Sequence, residues 1–351
     1  MARDNFNQPV KSALAKRAGF RCSYPGCNAV TAGPSAESPT ATANTGEAAH
    51  IAAASDGKNS RRYDSNMTPE QRSAIENGLW CCNTHAELID TDETTYTAPM
   101  LKHWRLLAER RAHIRQAFGD IDLSNGHSEL REIGLAPELL AVTASTELNK
   151  TIGSGVQYAC IADIAGKDVA DTVRDFLVEY VRNALTHGGA SEANVQIESK
   201  GIKVTDRGAP FQVSALLNAE ARGGGMAYRA LIETARIGSA SYLRTVAGEN
   251  QLHIPFVISP RQLPGANPCA MTIDREQVIG GSIDFTSVEN CDRIYLVAPD
   301  FSAYSDGPLF ERALRQTINE HPGVILIFPK ISKGVLKHFK KVFAPAEVIE
   351  W

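Results

Sequence analysis

The sequence lacks three features that would each place it in a special class of protein. No apolar run approaches the roughly 18 residues that span a bilayer, and residues 1–15 lack the apolar core of a secretory signal. Positive charge is not in excess, because 36 Lys and Arg face 40 Asp and Glu, for a net charge of −4. We therefore expect a cytoplasmic protein with no membrane partner, in which any contact with nucleic acid comes from a local site.

Cysteines are few, and their spacing points to metal rather than to disulfides. There are seven in 351 residues, an odd number that does not predict a disulfide framework. Four residues separate Cys22 from Cys27, and two separate Cys82 from His85. Zinc takes four tetrahedral Cys or His ligands, usually as pairs on tight turns. The two pairs therefore predict a structural zinc site, in which Cys81 could replace Cys82 but fits the spacing to His85 less well.

Length and composition predict a globular chain with two or three domains. Hydrophobic residues make up 43% and charged residues 22%, which is an ordinary balance. A polar, glycine-containing segment at 120–128 predicts a linker, and a Pro- and Gly-rich segment follows residue 262. We expect a multidomain α+β fold with domains at residues 1–120, 129–264 and 265–351.

Hydrophobic spacing predicts the main elements. Apolar residues recur at helical intervals over 98–118 and 167–187, while the run at 156–164 predicts a strand. Small and polar residues without periodicity predict a loop at 31–46. After residue 293, strand-length and helix-length segments alternate, which predicts a small C-terminal α/β unit that carries no motif for a function.

Four short motifs lie between and just after the two ligand pairs. They are Ala49-His50-Ile51, Met67-Thr68-Pro69-Glu70, Asn77-Gly78-Leu79-Trp80 and Leu88-Ile89-Asp90. Together with the cysteines, these motifs resemble the bacterial branch of the HNH endonuclease family over about residues 13–112. The resemblance implies a zinc-braced ββα-metal nuclease domain that acts on DNA.

By this resemblance, three residues form the catalytic site. His50 would be the general base that activates water and would adjoin the metal, and Asn77 would hold the loop that orients His50. Asp90 would bind the catalytic Mg²⁺. These side chains suit phosphodiester hydrolysis, because an imidazole accepts protons near neutral pH and Mg²⁺ prefers oxygen ligands. The cation would stabilise the developing charge and the leaving oxygen.

Alternatives to catalysis remain open at this point. Many family members carry Asp, Glu or His as a second metal ligand where this chain has Ala49, and Glu47 lies two residues away. The zinc site could therefore belong to a structural module without catalysis. Arg61 and Arg62 could contact phosphate, although an exposed basic pair is more often simply solvated.

A second set of motifs follows in the predicted 129–264 domain. Steps of four residues put Glu179, Asn183 and His187 on one face of the 167–187 helix. Two predicted strands later comes Asp206-Arg207-Gly208, and then a triple glycine at residues 223–225 that opens a helix and exposes amides suited to phosphate. In this order, the elements resemble the GHKL ATPase superfamily over about residues 150–260, which implies an α/β sandwich that binds ATP.

That resemblance implies a role for each matched residue. Asn183 would bind the Mg²⁺ of Mg-ATP, Glu179 would polarise water, and Asp206 would accept the adenine amino group. Gly208 would admit the base, and the phosphate lid would be formed by Gly223, Gly224 and Gly225. The match departs at Pro210, where the superfamily often has a second glycine. The alternative is a helix with a capping His187 and two ordinary turns.

Two functional hypotheses follow. The first is an ATP-responsive, Mg²⁺-dependent DNA endonuclease that acts as a bacterial antiphage effector, as an oligomer and with a sensor or regulatory protein as a partner. The second is a regulator without catalysis that binds zinc, ATP and either DNA or protein. We expect no histidine kinase activity, because the faint phosphoacceptor-like segment at 127–131 lies too close to Asn183.

Overall fold

The computed structural model describes residues 3–55, 60–123, 126–211, 213, 223–234, 240–281, 283–299, 306–320 and 323–351. The chain has a mixed α/β fold with several sheets. It divides into two compact units, unit one with Met1–Glu138 and Val156–Ala170, and unit two with Leu139–Gly155 and Asp171–Trp351. The expected boundaries near residues 120 and 264 stay a prediction. Within the described ranges, no helix is long and apolar enough to cross a membrane.

Unit one combines helices with two small antiparallel sheets. Strands β1 (Ala32–Pro34) and β2 (Thr42–Asn44) form one sheet, and β3 (Gly46–His50) and β4 (Gly78–Cys82) form the other. The helices with residues in this unit are α1 (Gln8–Arg17), α2 (Pro69–Arg72), α3 (Asn83–Thr91), α4 (Ala98–Phe118), α5 (Ser128–Ile133), the end of α6 (Leu148–Tyr158), α7 (Ile161–Ala165) and the start of α8 (Lys167–Thr186).

The loop predicted at 31–46 is wrong in part, because β1 and β2 lie within it. Their register places Ala32 opposite Asn44 and Pro34 opposite Thr42. Neither strand has a large apolar side chain, so the pairing depends on backbone hydrogen bonds. A search for alternating apolar residues does not detect such a sheet.

The β3–β4 sheet packs on α1 through a small apolar cluster. Leu14 of α1, Trp80 of β4 and the preceding Phe6 are buried there. The Trp80 indole nitrogen donates to the Thr31 hydroxyl at 2.8 Å. A Cβ at Gly46 would lie 2.4 Å from the Trp80 ring, so this position accepts only glycine. Helix α3 begins directly after β4, which gives unit one a β-β-α arrangement of β3, β4 and α3.

The long helix predicted at 98–118 is confirmed as α4. Its apolar side chains fall on one buried face, as the periodicity indicated: Met100, Leu101, Trp104, Leu107 and Ile114. Arg111 is also buried and forms an ion pair with Asp163, which removes it from the solvated face. Such a partner offsets the free energy cost of taking the arginine charge out of water.

Unit two contains a five-stranded sheet in the order β5-β6-β7-β9-β8. The strands are β5 (Glu138–Thr143), β6 (Glu192–Glu198), β7 (Gly201–Asp206), β8 (Ser241–Arg244) and β9 (Asn250–Pro255), with α9 (Gly223–Glu233) between β7 and β8 in the chain. Antiparallel pairs join β6 to β7, β7 to β9 and β9 to β8. Alternate residues are buried, among them Val195, Val204 and Leu252, as expected for a sheet with one covered face.

The strand predicted at 156–164 is wrong, because the segment holds the end of α6 and most of α7. Cys160 lies between these helices with a left-handed φ of 60°. The apolar residues Val156, Ile161 and Ile164 are buried in these helices, as they would be in a strand of the core. A short apolar run cannot distinguish a strand from a buried helix by periodicity alone.

The C-terminal part of unit two is a parallel four-stranded sheet in the order β10-β11-β12-β13. The elements after β9 are α10 (Leu263–Ala266), β10 (Ala270–Thr272), α11 (Arg275–Gly280), β11 (Ile294–Val297), α12 (Gly307–Glu320), β12 (Val324–Phe328), α13 (Lys333–Val342) and β13 (Glu347–Glu350). This agrees with the predicted α/β alternation. A disulfide joins Cys269 to Cys291, which the sequence did not indicate.

Acid destabilisation of unit two is expected from His253 on β9. Burial, aided by Lys203 on the facing strand, lowers the pKa of His253 to about 4. As pH falls from 6.5 towards 4, His253 is protonated in the unfolded chain but stays neutral in the folded sheet. The free energy of unfolding therefore falls by about 2 kcal/mol. His253→Gln should lose less stability than wild type in urea unfolding between pH 7 and 4.5. The exposed His338→Gln is the control, and an unchanged pH dependence in His253→Gln would contradict the assignment.

Candidate functional site

Two pairs of ligand-type residues meet in unit one. Cys22 and Cys27 lie on a tight turn, in which the Cys27 amide donates to the Tyr24 carbonyl at 3.1 Å and Gly26 has a φ of +79°. Cys82 is the last residue of β4, and His85 lies in the first turn of α3. The strand-to-helix junction therefore brings Cys82 and His85 close together, as the turn does for Cys22 and Cys27.

The four side chains form a cluster that could bind a metal such as zinc. Their ligand atoms all lie within 4.8 Å of one another. His85 Nδ1 lies 3.1 Å from Cys82 Sγ and 3.6 Å from Cys22 Sγ. Tetrahedral zinc, with bonds of about 2.3 Å to sulfur and 2.0 Å to nitrogen, sets ligand atoms about 3.5 to 3.8 Å apart. The donor set and its spacing fit that ion.

Aromatic rings and the Cys81 thiol contact the cluster. The Tyr24 ring stacks on His85, with ring centroids 3.8 Å apart, and meets Trp104 edge-on. A hydrogen bond from Cys81 is the largest cause that lowers the pKa of Cys22 to about 5, which favours the thiolate that binds metal. Burial raises the pKa of Cys27 to about 12. Cys82, rather than Cys81, belongs to the cluster.

A cleft of about 520 Å³ lies between β3 and α3 of the same unit. We call it the β3–α3 cleft, and its polar lining includes Asn5, Lys11, Glu47, His50, Glu87 and Asp90. Both His50 and Asp90, which the sequence placed in one catalytic site, line it. Asn77 lies behind it, buried, rather than in its wall.

The His50 ring is fixed by the chain's N-terminal segment. It stacks on Phe6, with centroids 3.9 Å apart, and its Nε2 lies 3.3 Å from the Asp4 carbonyl oxygen. A carbonyl only accepts, so Nε2 carries the proton and Nδ1 keeps a lone pair. Burial is the main cause that lowers the pKa of His50 to about 4, so the imidazole is neutral at pH 7.

Asn77 fixes the backbone that follows His50. Its Oδ1 accepts from the Ala52 amide at 2.8 Å, and its Nδ2 donates to the carbonyls of Ala52 and Arg72 at 3.0 and 2.9 Å. The Asn77 carbonyl also accepts from the Ile51 amide. The side chain thus uses three of its four hydrogen-bonding positions on the loop that the sequence expected it to hold.

Arg62 is a residue of this site whose role sequence reasoning missed. Its guanidinium donates to the carbonyls of Ile51 at 2.7 Å, Ile89 at 2.7 Å and His50 at 3.2 Å. It also lies 3.6 Å from Asp90, with only 6% of its side chain exposed. The Arg61-Arg62 pair suggested phosphate contacts, but Arg62 instead ties β3 to α3. Nothing in the local sequence distinguishes it from Arg61.

Replacing Arg62 should therefore destabilise unit one. In Arg62→Gln, three buried carbonyls lose their donor and Asp90 loses a partner, so we expect a loss of about 2 to 4 kcal/mol in unfolding free energy. The adjacent Arg61 is exposed, and Arg61→Gln should change stability by less than about 0.5 kcal/mol. Urea unfolding followed by tryptophan fluorescence measures both, and equal losses would contradict the bridging role.

Asp90 lies near two cations in the cleft. Arg62 and Arg3 approach its carboxylate at 3.6 and 3.8 Å. Burial nevertheless raises the pKa of Asp90 above its usual value, with these arginines opposing the shift. Among the described residues, the Cys22 cluster is the one set of three or more such side chains close enough to share an ion. The described lining of the cleft, which includes His50 and Asp90, thus contains no set of three ligand-type side chains at that range.

Unit two contains a second cleft, of about 340 Å³. We call it the α8–β7 cleft, and its lining includes Tyr180, Asn183, His187, Asp206, Phe211 and Asn250. The structure therefore brings together Asn183 and Asp206, two of the residues predicted to bind nucleotide. His187, which lies one helical turn beyond Asn183, joins them.

Asp206 is held by a buried hydrogen-bond network at the end of β7. Its Oδ1 accepts from the Gly208 amide at 2.8 Å and from Asn250 Nδ2 at 2.7 Å. The Asn250 Oδ1 in turn accepts from the Tyr242 hydroxyl at 2.7 Å and from Arg244. Asn250 is only 1% exposed, and no sequence motif identified it.

The predicted glycines have different surroundings. A Cβ at Gly208 would lie 2.7 Å from the Gly188 carbonyl, so glycine there permits close backbone packing. Gly223 opens α9 and lies beside Glu179, whose carboxylate would be 3.2 Å from an added Cβ. Glu179 pairs with Arg182 and is outside the cleft lining. Gly224 and Gly225 continue the first turn of α9, and residues 214–222 before it lie outside the described part of the chain.

Comparison with known proteins gives no family for the chain. No protein-family model, no curated protein and no solved structure matches it. Functional assignment therefore depends on the geometry of the two clefts and the Cys/His cluster.

Proposed function

We propose that the chain is an ATP-responsive, metal-dependent DNA endonuclease whose reaction takes place in the β3–α3 cleft. The observation that carries this proposal is that His50 and Asp90 line one cleft, next to a β-β-α arrangement whose second strand and helix carry half of the Cys/His cluster. An imidazole and a carboxylate in one cleft suit metal-assisted phosphodiester hydrolysis. Three of the four motifs that resemble HNH endonucleases lie on or directly beside these elements, while Met67-Thr68-Pro69-Glu70 lies at the start of α2.

His50 would act as the general base in this proposal. Its Nδ1 takes a proton from water while its Nε2–H continues to donate to the Asp4 carbonyl, which steadies the imidazolium that forms. Asn77 keeps the following backbone in place. The neutral ring at pH 7 is the form that this step requires.

Asp90 would supply the oxygen ligand for a divalent cation. A bound Mg²⁺ would stabilise the charge that develops on the phosphate and on the leaving oxygen. Arg3 and Lys11, at the same cleft, would attract the phosphodiester. Among the described residues, no third ligand-type side chain joins His50 and Asp90 in a metal-binding group. Substrate phosphate oxygens and water would therefore complete the metal shell, as Mg²⁺ commonly allows.

We assign the Cys/His cluster to structural zinc. Three sulfur donors and one imidazole leave no open position for a substrate, which is the pattern of structural rather than catalytic sites. Cys82 ends β4, and His85 lies in the first turn of α3. Zinc bound to both would therefore fix the angle between β4 and α3, the helix that bears Asp90.

The α8–β7 cleft would bind Mg-ATP and control cleavage. Asp206 lines this cleft, with its Oδ1 engaged by Gly208 and Asn250 and its carboxylate also hydrogen-bonded to Tyr180. Its remaining acceptor capacity would take the adenine amino group. Asn183 would face the metal and phosphates. The test is plasmid cleavage with and without ATP: a rate that responds to ATP in wild type and no longer responds in Asp206→Ala supports this role, and a rate indifferent to ATP in both refutes it.

A regulator without catalysis is the second candidate, favoured by Ala49 and by the missing third ligand in the cleft. It predicts zinc in the purified protein but no nicking with Mg²⁺ or Mn²⁺.

For the nuclease, the setting we propose is bacterial antiphage defence, where nucleotide control limits damage to the host's own DNA. Two copies of a single-site nuclease would be needed to cut both strands.

A further inference from the structure

A basic surface lies in unit one that shares no lining residue with the β3–α3 cleft. It is a groove of about 820 Å³ between the end of α1 and the outer face of α4, which we call the α1–α4 groove. Its charged lining consists of Lys16, Arg17, Arg21, Arg110, Arg115 and Glu109. Five cations thus face one carboxylate, in a chain whose overall charge is −4.

The chain's own carboxylates neutralise this groove only in part. Glu109 accepts from Arg17 and from Arg105, and Glu129 lies 3.3 Å from Arg110. Asp120 lies 3.4 Å from Arg21 and 3.5 Å from Arg115. Among the five lining cations, three carboxylates are thus engaged, which leaves an excess of positive charge. Asp120 has 76% of its side chain exposed, so its pairs are weak and open to exchange.

Like charges lie close together around Arg115. After burial, the charges of Arg21 and Arg111 are the largest causes that lower the pKa of Arg115. The Arg115 Nε is buried and makes no hydrogen bond. An anion bound in the groove would stabilise these arginines, because it supplies both a hydrogen-bond acceptor and a countercharge.

An exposed aromatic residue adjoins the same cations. Phe20 is 40% exposed and has a φ of +53°, a left-handed conformation that is costly for a bulky residue. Backbone hydrogen bonds hold it there: its amide donates to the Ala15 carbonyl at 2.7 Å, and its carbonyl accepts from Thr31. A strained backbone conformation thus places the exposed Phe20 ring in the groove that the five cations line.

We propose that the α1–α4 groove binds the phosphodiester backbone of duplex DNA, as a second contact surface beyond the catalytic cleft. This inference rests on the proposed nuclease function for its choice of DNA over another polyanion. A regularly charged backbone matches a groove lined by several separate cations, and such contacts add affinity without sequence preference. Since the groove and the cleft belong to one unit, a long substrate could engage both.

The test measures binding of the full-length, zinc-loaded protein to a labelled 40-base-pair duplex, with Ca²⁺ in place of Mg²⁺. The variant is Lys16→Gln/Arg110→Gln, and the control is Lys102→Gln/Lys167→Gln, which removes the same charge from exposed positions of unit one outside both clefts. We expect the groove variant to bind on the order of tenfold more weakly at 0.1 M salt and to lower the salt slope by about 1.8. Glu109→Gln, which frees Arg17, should bind more tightly than wild type.

Each outcome separates this inference from the nuclease proposal. If the groove variant binds DNA like the Lys102→Gln/Lys167→Gln control while wild type cleaves, the groove inference is overturned and the nuclease stands. Salt-dependent binding through the groove without any cleavage would support DNA binding by the groove and contradict the proposed nuclease activity. If poly-glutamate competes as well as DNA does, the surface recognises acidic protein, and the assignment to DNA is overturned.

Discussion

His50→Ala should abolish DNA cleavage while the protein remains folded. The ring of His50 is held by Phe6 and by the Asp4 carbonyl so that Nδ1 keeps its lone pair. Loss of a positioned general base typically lowers the rate by about 10² to 10⁴-fold. Neither a methyl group nor a nearby water replaces a base of this kind at pH 7. The measurement is single-turnover cleavage of supercoiled plasmid with Mg²⁺.

The control for this variant separates chemistry from folding. His338 is an exposed histidine on α13 of unit two, and His338→Ala should cleave at the wild-type rate. His50→Ala should retain zinc and bind duplex DNA as wild type does, because the zinc ligands and the α1–α4 groove are unchanged. Full cleavage by His50→Ala would remove His50 from the mechanism.

Cys82→Ser should release the metal and unfold the β3–β4–α3 region. Structural zinc contributes apparent binding free energies of about 10 to 16 kcal/mol in small zinc-binding peptides, so loss of one thiolate has a large effect. In this chain the cluster joins the Cys22 turn to the β4–α3 junction. We expect less than one zinc ion per chain by elemental analysis, together with rapid proteolysis of unit one.

Cys81 provides the matched control for the metal site. It is the neighbouring residue on β4 and is fully buried, but it lies outside the cluster. Cys81→Ala should keep a full complement of zinc, with some loss of stability from the missing hydrogen bond to Cys22. If Cys81→Ala lost zinc and Cys82→Ser retained it, the ligand assignment would be reversed.

Residues close in sequence were predictable, because their geometry follows from local periodicity. The apolar spacing over 98–118 predicted α4 directly. The two residue pairs of the Cys/His cluster were also predictable from spacing, since each pair occupies one tight turn or one strand-to-helix junction. Such features require no knowledge of distant contacts.

Contacts between distant segments were not predictable. Asp4 and Phe6 orient His50 from more than forty residues away, and Arg62 joins β3 to α3 through backbone carbonyls. Carbonyls are present at every residue, so no sequence pattern marks the ones that Arg62 selects. Asn250 likewise reaches Asp206 only because β9 pairs with β7.

The most direct test of the central claim is plasmid cleavage by zinc-loaded, full-length protein over a titration of Mg²⁺, with ATP present and absent. Our account predicts nicked and then linear DNA that appears only with added Mg²⁺ or Mn²⁺, at constant zinc content. A folded protein that binds the plasmid yet leaves it intact at every concentration of either ion would contradict the account.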